Sequence, residues 1–283
     1  MPGEQEVRVA ALQMSCVDDL DANFRRIDEL ASEAAARGVR LALLPENSVF
    51  MGRRDDEKLA ITEMPGVGPV QSFLADCARR HGMWLIAGSI PLNAGRADKC
   101  FGASIVWDAE GKERACYRKI HLFDVDLPDR DERYRESATM ASGDSLVTVE
   151  SPAGRLGLSI CYDLRFPEMY RRLVDAGATV FSVPAAFTAA TGEAHWRTLL
   201  RARAIENLAY VIAAGQHGRH PNGRITHGHS MIVDPWGEVL AEQPQGDGVV
   251  DAVIDIERPT RLRRDFPVLE HRRLDTGQDI DHR

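Results

Sequence analysis

The sequence predicts a mixed α/β fold, a sheet of parallel and antiparallel strands packed by helices. Three observations carry this. Segments with an apolar period near 3.6 alternate with short strand-like runs. Several of those runs come in pairs joined by tight polar turns, so hairpins sit among single strands. No Ser/Gly/Pro linker, charge block or internal repeat divides residues 1–283, so one domain is expected, with a core over about 7–273 and a polar tail after Arg273.

Val7–Met14 alternates apolar and polar residues as a strand does. From Asp21 to Arg37, Phe24, Ile27 and Leu30 recur at helical spacing, and Gly38 stands where a terminating residue takes positive φ. Leu41–Leu44 is a buried strand stopped by Pro45, with Glu46 just beyond it. A helix over Pro69–His81 and a strand over Trp84–Ser89 repeat the pattern. Ala103–Trp107 and Ala115–Arg118 flank the turn Asp108-Ala109-Glu110-Gly111, and Leu146–Glu150 and Leu156–Ile160 flank a Ser-Pro-Ala-Gly turn. Pro167 opens the next helix, where proline is tolerated. A strand at Val180–Val183, a helix at Glu193–Leu208 and a strand at Tyr210–Ala214 follow. Ser230–Val233 and Glu238–Ala241 flank Asp234-Pro235-Trp236-Gly237, and Val249–Ile254 is the last strand. Trp196, Leu199, Leu200 and Leu208 form a core stripe.

Composition narrows the function. A net charge of −8 opposes a nucleic-acid or anionic-membrane partner. The Arg261–Arg264 stretch, offset by acids, reads as a solvated helix face. No stretch approaches the roughly 20 apolar residues of a membrane span, and the acidic start Met1–Glu6 lacks signal-peptide character. Five cysteines without paired spacing suit free thiols in a reducing compartment, so a cytoplasmic location is expected. His217, His220, His227 and His229 have no recognised zinc spacing and read as a polar hairpin, so no metal is expected.

The strongest chemical signal is Ile160-Cys161-Tyr162-Asp163-Leu164-Arg165-Phe166-Pro167-Glu168, an apolar strand that stops at a cysteine before a helix. Such a turn exposes a nucleophile beside backbone N–H groups that can bind an oxyanion. Taken alone, Cys161 is more readily read as a small buried hydrophobe, as most lone cysteines are. Its activating partner could be one of nine histidines or a carboxylate–lysine pair. Glu46 and Lys119 both stand at strand ends, where α/β sites gather, though each alone reads as a solvated charge.

Together, Leu44-Pro45-Glu46-Asn47, Tyr117-Arg118-Lys119-Ile120-His121-Leu122-Phe123 and the Cys161 segment strongly resemble the nitrilase superfamily of carbon–nitrogen hydrolases, from about Val7 to Arg273. The resemblance implies a four-layer αββα sandwich and pairing through outer helices into homodimers or larger assemblies. It implies a Glu46–Lys119–Cys161 triad for thioester-forming amide hydrolysis without metal or organic cofactor. Glu136 would position Lys119 or the substrate, and the Tyr162 N–H would join Lys119 at the oxyanion.

Segments Pro184–Thr188, Thr191–Trp196, Leu200–Asn207 and Gly228–Gly237 resemble the deaminated-glutathione amidase and ω-amidase branch. Gly218-Arg219-His220 and His271-Arg272-Arg273 favour the former. The implied substrate is a small anionic amide, deaminated glutathione, cleaved to 2-oxoglutarate and cysteinylglycine, with 2-oxoglutaramate the next reading. Arg165 is the candidate carboxylate clamp, an ion pair with Asp163 or Glu168 being the alternative. Asp126–Arg133 reads as a solvated excursion or a substrate-contacting lid. Another amidase or carbamoyl hydrolase of the superfamily, a true nitrilase, and a scaffold that kept the fold without turnover are the competing functions.

Overall fold

The structure, a computed structural model, describes residues 5–127 and 132–274. In chain order the first half holds β1 (Glu6–Gln13), α1 (Leu20–Ala36), β2 (Leu41–Leu43), α2 (Pro69–His81) and β3 (Trp84–Ile86). It continues with β4 (Ile90–Arg96), β5 (Lys99–Trp107), β6 (Glu113–Arg118), β7 (Asp124–Leu127) and β8 (Glu132–Arg135). The second half holds β9 (Thr148–Ser151), β10 (Gly154–Leu158), α3 (Pro167–Asp175), β11 (Val180–Ala185), α4 (Ala189–Asn207) and β12 (Tyr210–Gly215). Last come β13 (His217–Arg219), β14 (Ile225–His227), β15 (Ser230–Val233), β16 (Val239–Gln243), β17 (Gly248–Asp255) and α5 (Arg258–Asp265).

Two mixed sheets result. One runs β17-β1-β2-β3-β5-β4, with β6 on the free edge of β5; the other runs β16-β15-β12-β11-β10-β9. Isolated bridges aside, parallel pairing among the described residues joins β1-β2-β3 and β10-β11-β12, whose crossovers carry α1 to α4. Side-chain alternation sets the layers. On β1, Val9 and Ala11 enter a core shared with the second sheet, whereas Ala10 and Leu12 meet Ile27 and Leu30 of α1 and Leu74 of α2. Met169 and Tyr170 of α3 and Trp196 and Leu200 of α4 cover the other face of the second sheet. The order is helices, sheet, sheet, helices: the αββα sandwich. Truncating a leucine in the inter-sheet layer to alanine costs about 2–5 kcal/mol in such cores.

Local physics explains most boundaries. Asp19 caps α1 by accepting from Ala22 N, and Gly38 beyond its end takes φ +77. Helix α4 begins at Ala189, four residues before the expected Glu193, because Thr188 caps it there. Strand β4 was not expected; Pro91 and Gly95 weaken its pattern, and besides β5 it meets the single residue Glu63, which bridges to Leu92. The β7–β8 ribbon is likewise an addition, short and polar, whereas β13–β14 is the polar hairpin expected around the histidines. The ribbon holds the flanks of the charged Asp126–Arg133 segment, whose tip, residues 128–131, lies outside the described residues, as do 1–4 and 275–283. The Arg261–Arg264 reading needs a correction: Arg263 is half-buried and donates to Ala178 O and Asn207 O, fastening α5 to the second sheet and its helix.

Candidate functional site

Three loops that leave strand ends, plus one short turn, build the site. Glu46 follows Pro45 after β2 and is 5% exposed. Its backbone is held by Gln216 Nε2 on Glu46 O at 3.0 Å, and Asn47 next to it has φ +55. Lys119 leaves the end of β6, its N–H on Gly102 O at 2.9 Å, and is 1% exposed. Cys161 follows β10 by three residues and opens a 3-10 turn, Cys161–Arg165, with φ +50. A left-handed non-glycine residue costs roughly 1–2 kcal/mol, and two of them flank this site. The expected exposure of Cys161 is not found: it is 6% exposed, at the bottom of a cleft.

The structure brings all four polar candidates together. Lys119 Nζ lies 2.7 Å from Glu46 Oε1 and 2.7 and 2.9 Å from the two oxygens of Glu136. Glu46 Oε2 accepts from Ala186 N at 2.9 Å, and the Cys161 thiol lies near enough to the same carboxylate for each to shift the other's protonation. Glu136 Oε2 also accepts from Phe123 N at 2.6 Å, which fixes that carboxylate on the lysine.

Electrostatics follow from this crowding. Burial alone would raise Glu46, but the Lys119 ammonium, with lesser help from the thiol and Arg224, holds it below its ordinary value. Burial opposes the charge on Lys119, yet Glu136 and Glu46 outweigh it and push its pKa well up. Cys161 is pushed well above its ordinary value by burial and by the Glu46 charge, with Lys119 opposing. In the empty site the proton therefore rests on sulfur. The arrangement suits attack in which the thiol proton passes to Glu46 as the bond forms, because a free thiolate would add a second net negative charge.

Asp163 carries a positioning role that sequence reasoning missed. Fully buried, it accepts from Tyr117 Oη and Ile160 N through one oxygen at 2.7 and 2.8 Å, and from His121 N and its Nδ1 through the other at 3.1 and 2.7 Å. The tautomer that donates from Nδ1 suits this contact. His121 stacks on Phe166 with centroids 3.6 Å apart. Thus Asp163 is not an ion partner of Arg165, and no ion pair joins Arg165 to Glu168 among the described residues. Arg165 instead bonds His195 Nδ1 at 3.1 Å and packs over Phe187, lining the cleft. The Tyr162 N–H meets no acceptor among the described residues, and its ring lines the same cleft.

The cleft opens to solvent and spans about 820 Å³ with its mouth included. The four histidines take specific partners: His217 binds Asp247, His220 binds Cys16 O and Thr226, His229 binds Glu242, and His227 stacks on His229. Away from the cleft, Asp28, Cys77 and His81 present ligand atoms within 4.8 Å of one another. Asp28 is already engaged by His81 at 2.8 Å and Arg80 at 3.0 Å, so this cluster reads as an ion-paired helix contact.

Comparison with known proteins identifies the family. Residues 8–264 match the carbon–nitrogen hydrolase family model. The chain is similar to the deaminated glutathione amidase of Synechocystis sp. PCC 6803, 44% identical over 93% of this chain and 97% of that one. It is similar to the human protein of that name, 40% identical over 97% and 84%. Among solved structures, the Caenorhabditis elegans NitFhit protein superposes with a TM-score of 0.88 at 38% identity, covering 95% of this chain and 65% of that one. Saccharomyces cerevisiae Nit3, of the nitrilase superfamily, gives 0.85 at 30% identity over 95% and 97%. An amidase from Nesterenkonia sp. AN1, TM-score 0.78 at 26% identity over 94% and 98%, was captured as a Glu-to-Gln mutant with an acetamide moiety covalently added at its active-site cysteine.

Proposed function

The chain belongs to the carbon–nitrogen hydrolase family and is an amide-hydrolysing enzyme; on that premise we propose that Cys161, Glu46 and Lys119 cleave deaminated glutathione to 2-oxoglutarate and cysteinylglycine. The observation that carries the reading is the buried Lys119 ammonium, 2.7 Å from Glu46, in the cleft that Cys161 also lines.

Cys161 Sγ attacks the scissile carbonyl carbon while its proton passes to Glu46. The oxyanion is met by Lys119 Nζ and the Tyr162 N–H; losing one such donor costs about 2.7–4 kcal/mol of transition-state stabilisation. Glu46 returns the proton to the amide nitrogen, cysteinylglycine leaves, and a thioester remains. A water that gives its proton to Glu46 then attacks, and collapse frees the acid while the proton returns to sulfur. Glu136 keeps Lys119 charged and aimed. Arg165 is the first candidate for a substrate carboxylate, supported by its place in the cleft without an acidic partner among the described residues.

Residues 1–283 are taken as one catalytic domain, working in the cytoplasm as a homodimer or larger homo-oligomer, with no metal or organic cofactor. Five unpaired cysteines support the compartment, and among the described residues no helix is long and apolar enough to cross a membrane. The deciding experiment incubates the protein with deaminated glutathione and follows 2-oxoglutarate release, with Cys161→Ala as control. Turnover by the native protein alone is expected; turnover of 2-oxoglutaramate but not deaminated glutathione moves the assignment to the ω-amidase reaction.

A further inference from the structure

We propose that Arg224 is a specificity-determining residue that seats a substrate carboxylate beside Glu46. The inference deepens the reading above and rests on it in one respect, that the substrate is anionic. Arg224 closes the β13–β14 hairpin and lines the cleft. Its Nη2 donates to Ala186 O at 2.7 Å, and Ala186 N donates to Glu46 Oε2 at 2.9 Å, so guanidinium and carboxylate grip the same residue. The guanidinium carbon lies 5.0 Å from the centroid of the Tyr134 ring, which holds the plane.

What Arg224 lacks is an acid. Two other arginines at the cleft are neutralised, Arg54 by Asp56 and Glu57 and Arg135 by Asp126. Among the described residues Arg224 has no carboxylate partner, and its buried Nε has no acceptor. A guanidinium held by one carbonyl keeps the planar fork that matches a carboxylate in bidentate fashion. In a chain of net charge −8, an arginine left unpaired at a cleft is a selective feature.

The placement couples binding to chemistry. The Arg224 charge helps keep Glu46 ionised in the empty site. A carboxylate seated on Arg224 cancels that influence, so Glu46 becomes the stronger base once an anionic substrate is in place. A neutral amide leaves Glu46 the weaker base.

Two carboxylates could fill the position, that of the acyl portion or that of the departing dipeptide. Binding of 2-oxoglutarate and of cysteinylglycine to the Cys161→Ala protein is measured by calorimetry, with and without Arg224→Gln. The expected result is a loss of about 10- to 100-fold for one probe, and the probe affected identifies the carboxylate. Arg224→Lys keeps the charge and should recover part of that loss. In otherwise native enzyme, Arg224→Gln should move the acid limb of kcat/KM to higher pH, whereas Arg224→Lys should leave it in place. Unchanged binding of both probes, failure of the Arg224-intact protein to bind either, or an unmoved acid limb overturns the proposal. If a probe is held through Arg224 while native enzyme leaves deaminated glutathione intact, the carboxylate site stands and the substrate assignment falls.

Discussion

Asp163 accepts a hydrogen bond from Tyr117 Oη at 2.7 Å, in a site closed to solvent. Tyr117 lies two residues before Lys119, and Asp163 two residues after Cys161, so this bond joins the strand that carries the ammonium to the turn that carries the thiol. The same carboxylate holds Ile160 N and His121 N. The triad geometry therefore depends on a residue that is not part of the triad. Tyr117→Phe removes one donor and should cost about 1–3 kcal/mol in urea unfolding, with a lower kcat at similar KM. Asp163→Ala strands several buried donors at once and should cost more than Tyr117→Phe. Equal kcat in wild type and Tyr117→Phe removes the positioning role.

Lys119 should tolerate the loss of either carboxylate unequally. Glu46→Gln keeps the shape but removes the base, so turnover should fall by at least about 100-fold, the scale of general-base catalysis. Glu136→Gln leaves the base in place and weakens only the hold on Lys119, so its deficit in kcat should be smaller. Lys119→Met leaves the buried Glu46 and the half-buried Glu136 carboxylates facing each other, and one should take up a proton that a titration at neutral pH detects. Equal deficits for Glu46→Gln and Glu136→Gln would contradict the division of roles.

The parts of this molecule that were legible in the sequence are those where local chemistry decides. Pro45 stopping Leu41–Leu43, Pro167 opening α3 and Asp108 turning the β5–β6 hairpin are local events, and the structure keeps all three. Strand β4 and the β7–β8 ribbon were not legible, because Pro91, Gly95 and the charges of the ribbon hide the apolar alternation and only the pairing itself marks them as strands. The same divide runs through the site. Glu46, Lys119 and Cys161 stand out through their three motifs taken together, each alone reading as an ordinary residue. Arg224 and Asp163 do not, since their importance lies in what they lack or join in space. Gln216, which bonds both Glu46 O and Cys16 N across the two sheets, is a third such residue.

Gly88 gives a test of how rigidly Glu46 is held. Its φ is +72, and a Cβ there would sit 2.0 Å from Pro45 O and 2.4 Å from Leu44 O. Both atoms are backbone, so neither can swing aside. Gly88→Ala must displace the segment that ends in Glu46. It should lower stability, by more than the ~1 kcal/mol of an ordinary glycine replacement, and reduce kcat with it. The exposed Gly38→Ala, also at positive φ (+77) but with no atom near its Cβ, should lose stability and keep kcat. A Gly88→Ala enzyme with native kcat would show that the Glu46 loop has slack.

The pH behaviour follows from opposite shifts on the acid and the amine. Glu46 titrates below its ordinary range in the fold, so its stabilising contribution is full above the unfolded value of about 4.3 and is lost as pH falls through the lower folded one. Lys119 titrates well above its ordinary value, so its contribution is full below about 10.4 and is lost only as pH rises through the higher folded one. Between those limits neither group changes charge, and kcat should be flat from roughly pH 5 to pH 9. Alkylation of Cys161 by iodoacetamide in the empty enzyme should behave differently. With the thiol pKa raised above its ordinary value, the rate should climb through pH 9 without levelling. A thiol that reacts at full rate by pH 7 would mean a resting thiolate, and the proton transfer assigned to Glu46 would then precede substrate binding.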